Sequence, residues 1–219
     1  KIKKIINKKN KSKIVCLTAY SKNIAEIVDA HMDIILVGDS LGSVLYNYST
    51  TRKVNLKMMI EHTKSVRMGI KKSLLIIDLP YNTYRNKTEA LKNSKKAIKE
   101  TKCDAVKIEG GSRVKDIVSH LVKNKIPVLG HIGITPQTTK GKFKSKGKTE
   151  TEKKKLINDA KVLEQSGAFG IVLECIYSDI SKKITNLIKI PTIGIGASIH
   201  CDGQVLVTDD ILGLTNAKI

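Results

Sequence analysis

Acidic side chains stand where apolar runs end: Asp39 closes "IILVGD", Asp78 closes "LLIID", Glu109 closes "AVKIE" and Glu174 closes "GIVLE". Ser40 follows Asp39, Lys107 lies two residues before Glu109, and His131 follows the run "PVLG". Each has an ordinary structural use when taken alone. Asp and Ser cap helices by accepting from the free N–H groups of a first turn, a buried His closes a turn, and a Lys near an acid makes a salt bridge. Recurrence at the same end of successive runs points to chemistry instead. Carboxylates drawn together repel one another unless a cation offsets their charge. Hard oxygen donors with no Cys or His among them suit Mg2+, which makes Asp39, Asp78 and Glu109 candidates for a metal site.

For these residues to meet, the runs must be strands that share one end. Seven short apolar runs, all but the first bounded by or containing Gly or Pro, read as strands, at 14–20, 34–39, 74–80, 105–111, 126–133, 170–175 and 191–197. Polar stretches of helical period lie between them. The stretch 88–101 gathers Ala90, Leu91, Ser94, Ala97 and Ile98 on one side, and 152–166 stops at Gly167, a natural helix terminator. Such alternation, with strands apolar on both faces, predicts a parallel sheet wrapped by helices. Seven or eight units favour a (β/α)8 TIM barrel, whose active sites are built where the carboxyl ends of the strands share a rim. No G-x-G-x-x-G opens the first unit, against a dinucleotide-binding fold, and "GIGAS" at 194–198 reads as a tight turn. The stretch 202–213, "DGQVLVTDDILG", reads either as a strand or as a helix opened by Asp202 and Gly203 with Val205, Leu206 and Leu212 buried. On the helical reading, the one carried forward, the barrel lacks its last strand and closing helix, leaving a sheet edge and apolar surface uncovered.

With 219 residues and 41% hydrophobic content, the chain is expected to form a single barrel domain over 1–219, with 1–13 a basic N-terminal segment. Cys16, Cys103, Cys175 and Cys201 are far apart and form no C-x-x-C pair, so reduced thiols are expected. No apolar stretch approaches the roughly 20 residues of a membrane span, and "KIKKIINKKNKSK" lacks the apolar core of a signal peptide. A cytoplasmic protein without a membrane partner is the expectation. The net charge of +20 would attract polyanions non-specifically. Aromatics make up only 4% and Trp is absent, however, and no helix-turn-helix, zinc-finger or RNP signature accompanies the charge. The lysines are spread over the helical stretches, as on a solvated cationic surface, and no specific nucleic-acid partner is expected.

The motifs "LVGDSLG", "IIDLPY", "VKIEGG", "GHIGITPQ", "VLEC" and "IGIGASIHCDGQVLV", in this order, resemble the ketopantoate hydroxymethyltransferase family, from about Lys11 to the end. The resemblance implies a TIM barrel, a homo-oligomer, Mg2+, and transfer of a one-carbon unit from 5,10-methylenetetrahydrofolate to 3-methyl-2-oxobutanoate, giving 2-dehydropantoate. It implies Asp39, Asp78 and Glu109 as metal residues, Glu174 as the catalytic base, and Ser40 and Lys107 as residues that hold the oxo acid; Asp39 and Asp78 at the metal, and His131 by its place on the strand between Glu109 and Glu174, are expected to face the oxo acid with them. His131 either steadies the oxo acid or the folate adduct, or is structural. The chemistry is coherent. A 2-oxo acid chelates Mg2+ through its carboxylate and keto oxygens, which stabilises the enolate formed when the C3 proton leaves, and a positioned base contributes about 10²- to 10⁴-fold.

The lysine-rich loop 138–148 is expected to act as a lid meeting the folate's carboxylates, or else to be a solvated loop. This chain departs from the family pattern at Ser145 and Lys146, where Val-Gln is usual, and at Asp209 and Asp210, where His-Asp is usual. Two alternatives stand beside the resemblance. One is a related Mg2+-barrel enzyme that makes or breaks C–C or P–C bonds in oxo acids, whose typical Lys-x-Cys-Gly-His loop is absent here; the other is a non-catalytic basic binding protein.

Overall fold

A computed structural model describes residues 1–139 and 143–215. Along them the chain runs α1 (Ile2–Ile6), β1 (Ile14–Thr18), α2 (Lys22–Val28), β2 (Ile34–Val37), α3 (Leu41–Tyr46), a 3-10 turn (Thr51–Lys53), α4 (Leu56–Gly69), β3 (Leu74–Asp78), α5 (Lys87–Thr101), β4 (Ala105–Glu109), a second 3-10 turn (Gly111–Val114), α6 (Lys115–Lys123), β5 (Val128–Gly133), α7 (Glu150–Gln165), β6 (Gly170–Glu174), α8 (Ser178–Leu187), β7 (Thr192–Ile195), β8 (Gly203–Leu206) and α9 (Thr208–Ile211). The strands form a closed barrel in sequence order, every neighbouring pair parallel. This is the (β/α)8 TIM barrel expected from the alternation.

The expected missing strand is a correction, because residues 203–206 supply it. β8 pairs Gly203 and Gln204 with Ile193 and Gly194 of β7, and Gly203 to Leu206 with Ile14 to Leu17 of β1. Asp202 opens no helix. Its carboxylate takes the Thr192 N–H and hydroxyl and the Lys9 ammonium, while a Cβ at Gly203 would collide with the Ile14 carbonyl, so only glycine lets the strands close here. Closure removes the sheet edge, although Val15 and Leu206 remain exposed on the outer face of β1 and β8. After β8 come α9 and the residues to 215; residues 216–219 lie outside the described residues.

A period of two divides each strand between two cores. Cys16, Ile34, Leu36, Leu74, Ile76, Ala105, Leu129, Val172, Ile193 and Val205 fill the barrel interior. Alternate residues, among them Ile35, Val37, Leu75, Ile77, Val106, Ile108, Ile171 and Leu173, pack outward against helical side chains such as Ala25, Met59, Ala97, Leu121, Leu163 and Ile184. Each fully buried Leu or Ile is worth roughly 1.5–3 kcal/mol. The basic segment 1–13 folds against the barrel's amino-terminal mouth. Ile5 of α1 joins the interior core, and Lys1, Lys8 and Lys9 pair with Asp104, Asp33 and Asp202, which immediately precede β4, β2 and β8.

The helices begin where side-chain acceptors permit. Asn55, Asn86 and Thr149 accept from the N–H of Met58, Glu89 and Glu152 at the starts of α4, α5 and α7. Glu152 in turn takes the Gly147 and Lys148 N–H groups. α7 ends at Gln165, one residue before the expected end, with Gly167 at φ +91° as the stop. No helix among the described residues is long and apolar enough to cross a membrane.

Candidate active site

The strand parity that fills the barrel with apolar side chains also aims the rim residues inward. Asp78 lies two residues beyond Ile76, Lys107 and Glu109 follow Ala105, His131 follows Leu129, and Glu174 follows Val172, so each continues an interior-facing row. Register sets neighbours side by side: Asp78 beside Lys107, Glu109 beside His131, and Gly133 beside Glu174. Asp39 arrives from the loop after β2, its N–H donating to Asp78 Oδ2 at 3.1 Å. Neither Asp39 nor Ser40 caps α3 through its side chain. The Ser40 hydroxyl instead meets the Tyr20 hydroxyl at 2.8 Å, and Asp39 Oδ2 accepts from Gln137 Nε2 at 2.8 Å.

Asp39, Ser40, Asp78, Lys107, Glu109, His131 and Glu174 all line one cavity of about 120 Å³. Lys107 Nζ lies 3.0 Å from Asp78 Oδ1 and 3.3 Å from His131 Nδ1. His131 Nδ1 is 3.5 Å from Glu109 Oε1, and Nε2 is 3.2 Å from Glu174 Oε2. The Glu174 side chain is 19% exposed, against 2% for Glu109 and His131, so it is the carboxylate a second molecule can reach. Asp209 and Asp210 sit on α9 and are not among the residues lining this cavity.

Burial dominates the electrostatics. It pushes the Asp39 pKa up to about 8, with Asp78 and Glu109 adding repulsion. Asp78 is also raised by burial, against the pull of Lys107. Burial opposes charge on Glu109 too, but His131 and then Lys107 outweigh it and lower its pKa. Lys107 is raised, because Asp78, Glu109 and Asp39 together overcome its own burial. Burial and Lys107 oppose a proton on His131, yet Glu109 and Glu174 prevail and lift its pKa to about 9.

The cavity therefore holds more carboxylate than its cations neutralise. Asp78 Oδ1 is buried with no aligned hydrogen bond despite its contact with Lys107. Among the described residues, no three His, Cys, Asp or Glu side chains are grouped tightly enough to enclose a metal by themselves. One or two carboxylate oxygens facing a small cavity is nevertheless a donor set that Mg2+ accepts, since it usually keeps waters and substrate oxygens as its other ligands.

A second cavity of about 500 Å³ adjoins the first and shares Ser40, Thr51, Pro136 and Glu174 with it. Phe143 also lines it. Residues 140–142 of the lysine-rich loop, expected as a lid, lie outside the described residues, and its end is pinned to β6 where Lys146 N–H donates to the Cys175 carbonyl. Sequence reasoning missed Tyr20, Tyr84 and Gln137, which carry no charge at neutral pH. Gln137 sits inside the quoted "GHIGITPQ", and the signal there was a proline-fixed turn directly beyond a strand that ends in the site.

A family model described as ketopantoate hydroxymethyltransferase matches residues 1–219. The chain is 62% identical over 218 residues to 3-methyl-2-oxobutanoate hydroxymethyltransferase of Pelagibacter ubique, spanning 100% of this chain and 84% of that protein. The protein of the same name from Rhizobium etli is 48% identical over 206 residues, 93% of this chain and 76% of that one. Among solved structures, a phosphonopyruvate hydrolase in complex with oxalate and Mg2+ is similar at a TM-score of 0.72 and 10% identity, over 97% of this chain and 82% of that one. A 2,3-dimethylmalate lyase of the PEP mutase/isocitrate lyase superfamily gives 0.70 at 14% identity, over 97% and 81%. At such identities these structures speak for the barrel alone. The match across the whole chain is of another order, and the chain belongs to the ketopantoate hydroxymethyltransferase family, a family of transferases.

Proposed function

We propose that this chain transfers a hydroxymethyl group to 3-methyl-2-oxobutanoate, giving 2-dehydropantoate, with 5,10-methylenetetrahydrofolate as the donor and Mg2+ as the metal. The observation that carries this reading is the pair of joined cavities, one of about 120 Å³ and charged, the other of about 500 Å³, with Glu174 on their common wall. A small oxo acid suits the first and a bulky donor the second. Asp39 and Asp78, with Glu109 behind them, would hold Mg2+, which when bound supplies Lewis-acid polarisation of the oxo acid's oxygens.

The chain's own residues do the rest. Lys107, charged and buried, attracts the acid's carboxylate. Glu174 Oε2 takes the C3 proton, and His131 Nε2 beside it steadies the carboxylate. The electron pair left at C3 forms the new bond to the donor's methylene carbon, whose two bonds to nitrogen are broken, the nitrogens taking up the C3 proton and one proton of water. One water is consumed overall, and its oxygen becomes the product's hydroxyl. Glu174 thus stands where the proton leaves and where the second substrate arrives. The test is turnover with the oxo acid, the folate and Mg2+, followed by mass spectrometry of the acid. Formation of 2-dehydropantoate that stops on chelation is expected; its absence from folded protein refutes the proposal.

A further inference from the structure

We infer that Gln137 is a positioning residue of this site, tying Asp39 and Glu109 into one fixed arrangement from a loop beyond β5. The inference rests on the reading above, in which these carboxylates serve Mg2+ and the oxo acid. Gln137 is 1% exposed and uncharged, yet it bonds to four other segments. Its Nε2 donates to Asp39 Oδ2 at 2.8 Å and to the Leu79 carbonyl at 3.0 Å, and its backbone N–H donates to Glu109 Oε2 at 3.2 Å. Its Oε1 accepts from the Tyr84 hydroxyl at 2.5 Å and its backbone carbonyl from Arg52 Nε at 2.8 Å. Asp39, Leu79 and Glu109 lie beyond or at the ends of β2, β3 and β4. One residue therefore bridges three consecutive strand ends from a fourth.

The amide orientation follows from its partners. Two acceptors, Asp39 Oδ2 and the Leu79 carbonyl, face the nitrogen, so a flipped amide would lose both of those bonds, whereas the Tyr84 hydroxyl could meet either end. A carboxylate of the same size would set oxygen against Asp39 Oδ2 and the Leu79 carbonyl. The turn that presents Gln137 is stiff: Pro136 precedes it, and Thr138 and Thr139 N–H both donate to the Thr135 carbonyl. The two bonds to Asp39 and Glu109 each occupy one oxygen of a carboxylate, which stops that carboxylate rotating and fixes where its other oxygen faces. Partners of this kind, behind the groups that touch a metal, typically change affinity or activity by about 10- to 100-fold when removed.

The test compares the full chain with Gln137→Met and Tyr84→Phe, by thermal unfolding without metal and by calorimetric titration of Mg2+ in the presence of 3-methyl-2-oxobutanoate. Gln137→Met is expected to weaken Mg2+ binding by about 10- to 100-fold, with turnover recovered at saturating Mg2+. Tyr84→Phe, which only frees the amide oxygen, is expected to weaken it less and in the same direction. Suppose the wild type binds Mg2+ and folded Gln137→Met binds it equally well; the inference then fails while the site reading stands. Tyr84→Phe decides in the same way if Gln137→Met does not fold. Turnover that saturating Mg2+ leaves unrecovered would place Gln137 in the chemistry and overturn the positioning role. A wild type that binds no Mg2+ with the oxo acid removes the site reading and this inference together.

Discussion

Lys107→Met tests whether the candidate site is as charge-strained as its geometry indicates. Lys107 Nζ is 3.0 Å from Asp78 Oδ1, the side chains being 6% and 3% exposed. Methionine keeps most of the stem's packing and deletes the charge, which leaves Asp39, Asp78 and Glu109 sharing a buried cavity with His131. Removing one partner of a buried pair typically costs about 3–5 kcal/mol. In a chain of this size about 1 kcal/mol moves Tm by roughly 2–4 °C, so a fall of roughly 6–20 °C is expected at neutral pH without metal. The pH dependence has a definite sign. Asp39 is raised from 3.8 to about 8, so between those values the folded state holds a proton that the unfolded chain releases, and stability falls as pH rises through that window. Lys107 lowers the Asp39 and Asp78 pKa values, so its loss raises both further, the folded variant holds protons to higher pH than the wild type, and its deficit should shrink as pH falls. Adding Asp78→Asn should restore much of the loss, since it removes the charge that Lys107 faced. Urea unfolding followed by circular dichroism across pH measures all three. A Lys107→Met protein within about 0.5 kcal/mol of wild type at neutral pH, below what a broken buried pair costs, would refute the account.

Glu174→Gln should bind the oxo acid normally but lose exchange of its C3 proton with D2O, measured by NMR without folate, by about 10²- to 10⁴-fold; wild-type exchange would pass the base role to His131. Asp78→Ala should abolish Mg2+-dependent binding of the oxo acid in calorimetry while the barrel stays folded, and unchanged affinity would sink the metal assignment. Asp29 accepts the N–H groups of Lys71, Lys72 and Ser73, and these backbone bonds outweigh its burial and hold its pKa near 2, against 3.8. Its folded pKa is depressed, so it contributes about 2 kcal/mol above pH 4 that is lost as pH falls toward 2; Asp29→Asn should be destabilised near neutral pH and indistinguishable from wild type at about pH 2 in urea unfolding.

The barrel was legible because most of its strands are short apolar runs closed by Gly, Pro or an acid, with amphipathic helices between. β8 escaped because four residues that include Gly203 and Gln204 carry no apolar run, and what makes them a strand is pairing with β1 at the other end of the chain. Charged rim residues were legible from their place at strand ends. Gln137, Tyr20 and Tyr84 were not, because an uncharged side chain declares itself only through partners far away in sequence. The cap reading of Asp39 and Ser40 illustrates the same limit. Asn55, Asn86 and Thr149 do cap helices, whereas Asp39 and Ser40 turn their side chains to Gln137 and Tyr20, a choice that tertiary contacts make.

The two mouths of the barrel treat the same residue type in opposite ways, and the contrast singles out one of them as the candidate site. At the amino-terminal mouth each acid is matched. Asp33 takes the Val15 N–H and Lys8, Asp104 takes the Leu75 N–H with Lys1 and Arg67 nearby, and Asp202 takes the Thr192 N–H and Lys9. Their charges are satisfied within the chain, so they stabilise the fold and have nothing left to offer a ligand. At the carboxyl-terminal rim Asp39, Asp78 and Glu109 are more deeply enclosed and face Lys107 and His131, and burial raises two of the three toward neutrality. A fold selected for stability alone would replace such a cluster with apolar side chains, because unpaired buried charge destabilises. A cation and an anionic oxo acid entering together would relieve the excess that the chain leaves standing. The part of the net charge of +20 placed at the amino-terminal mouth therefore reads as fastening for that mouth, and the deficit of positive charge at the rim as the opening for a ligand.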